Sequence, residues 1–95
     1  MKLLDKIHIC GVDYKVVYET ESWLDAAQAW GLADFSKQVI TIDARCGKNR
    51  QRLTLLHEII EVINNNQEMG LEHRTISALE AALFQVLEDN KLWRK

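Results

Sequence analysis

Apolar and polar residues alternate in the first half of the chain and gather into helical arcs in the second. Two runs rich in Val, Ile and Tyr, residues 6–10 and 13–19, lie on either side of a turn at Gly11 and predict a β-hairpin. The alternation in residues 38–43 predicts a further strand. We place this strand at the edge of the sheet.

The segment between these strands has a less regular pattern. Ser22 is a suitable N-cap for a short helix that extends to Trp30 and ends at Gly31. We interpret residues 33–37 as a loop leading into the next strand.

Two longer helices are predicted in the second half. A basic turn at residues 46–52 leads into the first helix, which runs to the three asparagines at residues 64–66. The second helix runs from about residue 73 to residue 93. The chain therefore predicts an α+β fold in one domain, residues 1–95, with about three antiparallel strands, a buried central helix and a long C-terminal helix.

The central helix carries a histidine and two glutamates within a broad apolar arc, which indicates a mostly buried helix. His57 and Glu61 lie one turn apart at one border of the arc, and Glu58 lies further round toward the polar side. In an HExxH helix, two histidines at this spacing bind one zinc ion and the intervening glutamate acts as general base. Here Glu61 replaces the second histidine, and a carboxylate is also an acceptable zinc ligand. The alternative is a surface His and Glu pair with a solvated Glu58.

The last helix contains a carboxylate, Glu80, within an apolar stripe formed by Ile76, Leu79, Leu83, Phe84, Val86 and Leu87. A buried charge without a partner is costly, so Glu80 is expected to be protonated, paired with an arginine such as Arg74 or Arg52, or bound to a metal. His73 lies two turns before Glu80, about 10 Å along the helix axis. This distance argues against both residues binding one ion, so His73 is at most a spare ligand or a neighbour of the site.

The combination of a strand, a helix with the pattern H-E-x-x-E and a later helix with E-A-x-x-F resembles a minimal zincin of the gluzincin type. The resemblance covers residues from about 31 to 90. The chain is similar in particular to the small zincin-like metallopeptidases of phages and other mobile elements, the ImmA/IrrE type, in which the third ligand is a Glu in an E-A-x-x-F-A context. Gln85 replaces the second alanine of that context here.

The resemblance implies that His57, Glu61 and Glu80 bind Zn²⁺ and that Glu58 polarises the attacking water. It also implies that the edge strand, residues 39–43, pairs with an extended peptide substrate. The carboxylate of Glu61 adds negative charge, which weakens the metal as a Lewis acid. Three outcomes therefore remain open: a zinc enzyme with one His and two Glu ligands, a site that prefers a harder metal such as Mn²⁺, or a metal-free protein.

Two functional hypotheses follow from this resemblance. The first is a metal-dependent peptidase of phage or mobile-element origin, which cleaves a peptide bond with a metal-bound water. The second is a catalytically inactive protein of the same fold, which uses the edge strand to recruit a protein partner.

Composition narrows the choice of partners. The 95 residues include 12 Lys plus Arg and 14 Asp plus Glu, a net charge of −2, so no global positive field attracts nucleic acid or an anionic membrane. The cations Arg45, Lys48, Arg50 and Arg52 form one locally basic turn, but no nucleic-acid motif or aromatic residues accompany them. We therefore rank nucleic-acid binding last and expect a peptide or protein partner.

Two features bear on the cellular compartment. Cys10 and Cys46 do not form a CxxC motif and are too few for a disulfide framework, so we expect reduced thiols. The sequence contains neither an apolar run of signal-peptide length at its start nor one that would span a bilayer. We expect a cytoplasmic protein, in the host cytoplasm if it is phage-encoded.

Overall fold

The computed structural model describes residues 4–20 and 30–93. Its elements in chain order are strands β1 (Lys6–Ile9), β2 (Val12–Glu19), β3 (Gly31–Asp34) and β4 (Val39–Asp43) and helices α1 (Lys48–Asn66) and α2 (His73–Asp89). The α+β prediction is confirmed. The short helix predicted to begin at Ser22 falls, as far as residue 29, in a part of the chain that the structure does not describe. No helix in the described part of the chain is long and apolar enough to cross a membrane.

The four strands form one mixed sheet in the order β1-β2-β4-β3. β1 and β2 are antiparallel neighbours, as the hairpin prediction required, and β3 pairs antiparallel with β4. β2 and β4 run parallel. The prediction of about three antiparallel strands is therefore wrong, because a fourth strand is present and one pair is parallel.

The edge of the sheet next to β4 is β3, which was predicted in part as a loop. Asp34 ends this strand, and its Oδ1 accepts hydrogen bonds from the backbone N–H groups of Ser36 and Lys37 at 3.1 and 2.9 Å, which closes a tight turn into β4. The turn brings the next strand, β4, antiparallel to β3, so that β3 covers one side of β4. The placement of Val39–Asp43 at the sheet edge is therefore wrong: β4 is internal, between β2 and β3.

Helix α1 is the central element, as its broad apolar arc predicted. One side of α1 packs on the sheet, where Ile40 and Ile42 of β4 are fully buried together with Leu55 and Val62. The other side packs on α2 through a second apolar cluster of Leu56, Ile60 and Ile76.

The apolar stripe of α2 is only half covered. Ile76 is buried and Phe84 is half-buried, whereas Leu79, Leu83 and Val86 are each 41% exposed. Among the described elements only α1 packs closely on α2, and a single neighbouring helix covers one face. The sequence pattern therefore overstated how much of this helix is buried.

Helix α2 ends at Asp89, four residues before the predicted end. Lys91 adopts a left-handed φ of 54°, and the N–H groups of Lys91 and Leu92 donate to the carbonyls of Glu88 and Leu87 at 3.3 and 3.0 Å. This is the hydrogen-bond pattern of a Schellman C-cap, which satisfies the last carbonyls and reverses the chain.

A buried ion pair joins the start of α1 to the end of α2. Arg52, which was considered as a partner of Glu80, is buried and donates from Nε and Nη2 to both carboxylate oxygens of Glu88 at 3.1 and 2.8 Å. Trp93 Nε1 also donates to Glu88 at 2.6 Å. Arg45 likewise pairs with Asp43 at 2.9 Å, so two of the four cations of the basic turn are neutralised within the fold.

Cys10 and Cys46 are free thiols, as predicted.

Candidate metal centre

His57 lies at the centre of the polar contacts between the two helices. Its Nδ1 is 2.6 Å from Oε1 of Glu80 on α2, and its Nε2 is 3.2 Å from Oε2 of Glu61, one turn further along α1. The ring of His73, the first residue of α2, packs edge-on against the His57 ring with centroids 5.4 Å apart. The fold thus brings all three predicted ligands together and adds a second histidine.

Three of these residues present ligand atoms to a common point. One atom each from His57, Glu61 and His73 lies within 4.8 Å of the other two, so this group could hold a metal ion. The ligand atoms around a tetrahedral zinc are about 3.3 Å apart. The separation of 3.2 Å between His57 Nε2 and Glu61 already matches that spacing, and a ring nitrogen of His73 lies within 4.8 Å of the other two ligand atoms. Two imidazoles and one carboxylate form a donor set that catalytic zinc sites use.

Glu80 contacts the other nitrogen of His57. With Nδ1–H donating to Glu80, the imidazole is fixed in the tautomer whose Nε2 lone pair is free for a metal. His73 and Glu80 are seven residues apart on α2, and His57 lies between them and contacts both. The group of possible ligands contains His73 and not Glu80, whereas the sequence pointed to Glu80 as a ligand and to His73 as at most a spare ligand.

Glu58 is buried beneath the edge strand. It is 6% exposed, in contrast to the predicted position toward the polar side of α1, because β3 lies across this face of the helix. No hydrogen bond from the described residues reaches its carboxylate. In the described part of the chain, every side-chain N or O atom that is sealed from solvent has a hydrogen-bond partner. The Glu58 oxygens have no such partner, so they are not sealed and open onto the adjoining cleft.

The charge state of this cluster follows from burial and from the neighbouring carboxylates. Burial raises the pKa of Glu58 to about 7; the nearby His57 opposes this effect, and the charges of Glu61 and Glu80 add to it. For His57, burial lowers the pKa, but the hydrogen bond with Glu80 and the three surrounding carboxylates outweigh burial and raise the pKa above 6.5. Protonation of His57 is therefore favoured in the metal-free protein, where Glu61 and Glu80 lie on either side of its ring.

Gly31 allows β3 to approach α1 closely enough to cover Glu58. A Cβ atom at Gly31 would lie 2.6 Å from Cγ2 of Thr54, 2.9 Å from the carbonyl oxygen of Thr41 and 3.4 Å from Oε2 of Glu58. The first two distances are shorter than van der Waals contact allows, and one neighbour is backbone. A side chain at position 31 would therefore force the edge strand away from the helix.

We expect Gly31→Ala to destabilise the protein by about 1–3 kcal/mol, the usual cost of overpacking a close contact. The free energy of unfolding in urea measures this effect. Gly47→Ala is the matched control, because a Cβ at Gly47 meets no atom within 4 Å. Equal stability of the two variants would contradict the close approach of β3 to α1.

The candidate centre opens into a cleft of about 490 Å³ between α1, α2 and the edge strand. Residues 30–33 form one wall, and the polar side chains of the two helices form the floor. The cleft is lined by Trp30, Gly31, Leu32, Ala33, Phe35, Arg50, Thr54, His57, Glu58, Glu61, His73, Ser77 and Glu80.

Sequence reasoning missed the role of Trp30, Gly31, Arg50 and Thr54 in this cleft. One signal was present: Arg50, Thr54, His57 and Glu61 recur at helical spacing and form a polar stripe along an otherwise apolar helix. The contribution of Trp30 and Gly31 carried no such signal, because it depends on where β3 lies.

Comparisons of this chain with protein-family models, with curated proteins and with solved structures gave no match.

Proposed function

We propose that this protein is a zincin-like metal-dependent peptidase, in which His57, Glu61 and His73 bind zinc and Glu58 is the general base. The observation that carries this proposal is the Glu58 carboxylate, which is buried, receives no hydrogen bond from the described residues and opens onto the cleft beside the three ligands. Burying such a group is costly unless another group compensates for it. A water held beside a cation is a suitable partner.

Zinc supplies a Lewis acid that polarises the scissile carbonyl and makes a bound water more acidic. Glu58 accepts a proton from the attacking water and returns it to the leaving amine, and its cover by β3 limits competition from bulk water. Glu80 accepts a hydrogen bond from Nδ1–H of His57, which would leave the Nε2 lone pair free to bind a metal.

With His73 as third ligand, the site contains less negative charge than with Glu80. With Glu80 as a ligand the site would contain two carboxylates, which weakens the metal as a Lewis acid. With His73 in its place, one carboxylate and two neutral imidazoles surround the ion, a set that favours zinc over hard cations such as Mn²⁺. The resemblance to gluzincins is then one of motif positions, with a different residue as third ligand.

The edge strand β3 supplies the binding surface for a peptide. Asp43 N–H donates to the Trp30 carbonyl at 2.8 Å, so Trp30 and Asp43 form a hydrogen-bonded pair. Because such pairs alternate along antiparallel strands, the backbone N–H and C=O groups of Gly31 and Ala33 point away from β4. Both residues line the cleft, where an extended peptide can pair with them.

One observation favours a second function, a non-catalytic protein that binds a partner through the same edge strand. His57 is within hydrogen-bond distance of Glu61 and Glu80 at 3.2 and 2.6 Å, so the cluster satisfies its own polar groups without an ion. This arrangement leaves only Glu58 without a partner.

Zinc content and affinity test the proposal. We expect about one equivalent of zinc per chain in protein purified without a tag or chelator, and none in His73→Ala. Glu80→Gln should retain the site with an affinity about 10–100-fold weaker, the usual cost of removing a carboxylate that orients a ligand histidine. His8→Ala, which alters an exposed histidine on β1, is the control.

Other results would change the conclusion. If Glu80→Gln loses zinc and His73→Ala keeps it, Glu80 is the third ligand, as the sequence alone suggested. If the protein binds no zinc or manganese even when they are supplied, the peptidase proposal fails and the non-catalytic function stands.

A further inference from the structure

Arg50 lies at one end of the cleft with its charge unpaired by the described residues. Its guanidinium carbon is 5.2 Å from the centroid of the Trp30 ring, which is 53% exposed. Arg45 and Arg52 of the same basic turn pair with Asp43 and Glu88, but no carboxylate of the described residues pairs with Arg50. Of these three arginines, only Arg50 lines the cleft.

Stacking on Trp30 favours recognition of a carboxylate. An arginine lying over an aromatic face loses side-chain freedom, while the N–H groups at the edge of its plane stay available. Those groups match the two oxygens of a carboxylate and can bind both. A lysine at this position would provide the charge without the flat fork.

The position of Arg50 on α1 gives its distance from the candidate metal centre. Arg50 precedes His57 by seven residues on α1, which places the two on the same helix face two turns apart, about 10 Å along the axis. Thr54 lies between them and also lines the cleft. An extended peptide advances about 3.3 Å per residue, so about three residues span this distance.

The charges along the cleft have opposite signs at its two ends. Glu58, Glu61 and Glu80 lie at the end with the ligand group, and Arg50 lies at the other. The first turn of α1 contains no acidic residue, so the positive end of the helix dipole adds to the charge of Arg50. A peptide with a carboxylate at the Arg50 end complements this field, and one with a cation there is repelled.

We propose that Arg50, stacked on Trp30, is a specificity-determining residue that binds a substrate carboxylate about three residues from the peptide bond to be cut. This inference rests on the proposed peptidase function and names the class of substrate: peptides with an acidic side chain or a free C-terminal carboxylate at that position. Trp30 positions the guanidinium.

Binding of matched peptides to the full chain tests the proposal. The zinc-loaded Glu58→Gln variant keeps the peptides intact, and fluorescence anisotropy of labelled hexapeptides measures their Kd. In the first series the C-terminus is amidated, and each position in turn carries either Glu or Gln. In the second series all positions carry Gln, and the C-terminal carboxylate is free. The first series reports an acidic side chain, and the second reports the chain terminus.

We expect one position, about three residues from the central bond, at which a carboxylate tightens binding about fivefold over the neutral group, as an accessible ion pair does. Arg50→Gln should remove this preference, Arg50→Lys should keep only part of it, and higher salt should reduce it. Lys48→Gln is the matched control, because it removes the same charge from the same turn at a residue that does not line the cleft.

Equal binding of acidic and neutral peptides, or a preference that survives Arg50→Gln, would overturn the proposal. Zinc content is measured on every variant, so this failure is distinguishable from failure of the peptidase function. Peptides cut without any acidic preference would leave that function standing and remove only the role of Arg50. If the protein binds no zinc, the same peptide series in chelator still reports on Arg50.

Discussion

We expect Glu58→Gln to reduce kcat for peptide hydrolysis by about 10²–10⁴-fold while the zinc content stays at one equivalent. Gln has nearly the same shape as Glu and fits beneath β3, but its amide cannot accept the proton of the attacking water. Glu58 is not within the group of three ligands, so its replacement leaves that group intact. Release of fluorescence from a library of internally quenched peptides measures hydrolysis, and elemental analysis measures zinc.

Glu68→Gln is the matched control for this experiment, since Glu68 is exposed beyond the end of α1 and makes the same change of charge. It should hydrolyse the peptides at the unmodified rate. Hydrolysis that is unchanged in Glu58→Gln would show that another group accepts the proton and would contradict the role given to this residue. Loss of zinc from Glu58→Gln would instead place Glu58 among the ligands.

The metal-free protein should lose stability as the pH rises from about 5 to about 8, opposite to the behaviour of proteins stabilised by ionised carboxylates. Burial raises the pKa of Glu58 from 4.5 in the unfolded chain to about 7 in the fold, so the folded protein binds more protons across this range. His57 acts in the same direction. Its raised pKa contributes stability below 6.5 that is lost as the pH passes through the folded value.

The expected loss is large for a protein of this size. Each difference of one in pKa corresponds to about 1.4 kcal/mol, so raising the pKa of Glu58 to about 7 lowers the free energy of unfolding by about 3 kcal/mol across the range. The carboxyls of Asp13, Asp34 and Asp43 have lowered pKa values, so their contributions change only at more acidic pH.

Urea unfolding in the presence of a chelator, at several pH values between about 5 and about 8, measures this dependence. Glu58→Gln should flatten it, because its side chain does not titrate, and Glu68→Gln should not. A free energy of unfolding that rises with pH in the unmodified metal-free protein would show that Glu58 is ionised and compensated in the fold. Zinc should add more stability as the pH rises, because a histidine binds a metal through a deprotonated nitrogen.

Elements with strong local patterns were predictable from the sequence. The β1-β2 hairpin follows from the alternation of apolar and polar residues on either side of Gly11. The central position of α1 follows from its apolar arc, which is too broad to be buried by one neighbouring element. The end of α2 was less predictable, because its stripe continues past Asp89 while a Schellman cap at Lys91 stops the helix. A local sequence pattern indicates which secondary structure a segment favours. It does not indicate which other segments pack against it.

The residues of the candidate site also differ in whether the sequence or only the fold identifies them. His57, Glu58 and Glu61 could be selected from their spacing on one helix, and Glu80 from the cost of a carboxylate in an apolar stripe. Each inference needs only helical periodicity and the energetics of buried charge. Which part of the His57 ring each partner contacts depends on how α2 crosses α1. That crossing places Glu80 at Nδ1 and His73 within the ligand group.

The sequence by itself determined the fold class, the central helix and the candidate residues His57, Glu58 and Glu61, because periodicity and side-chain type are local properties of the chain. Only the tertiary structure decided that β4 is internal and β3 lies at an edge of the sheet, that Glu58 is covered, and that His73 joins the ligand group. It also decided that Arg50 lines the cleft while Arg45 and Arg52 do not. These outcomes depend on contacts between segments far apart in the chain. Such contacts are set by packing the whole molecule and leave no local pattern.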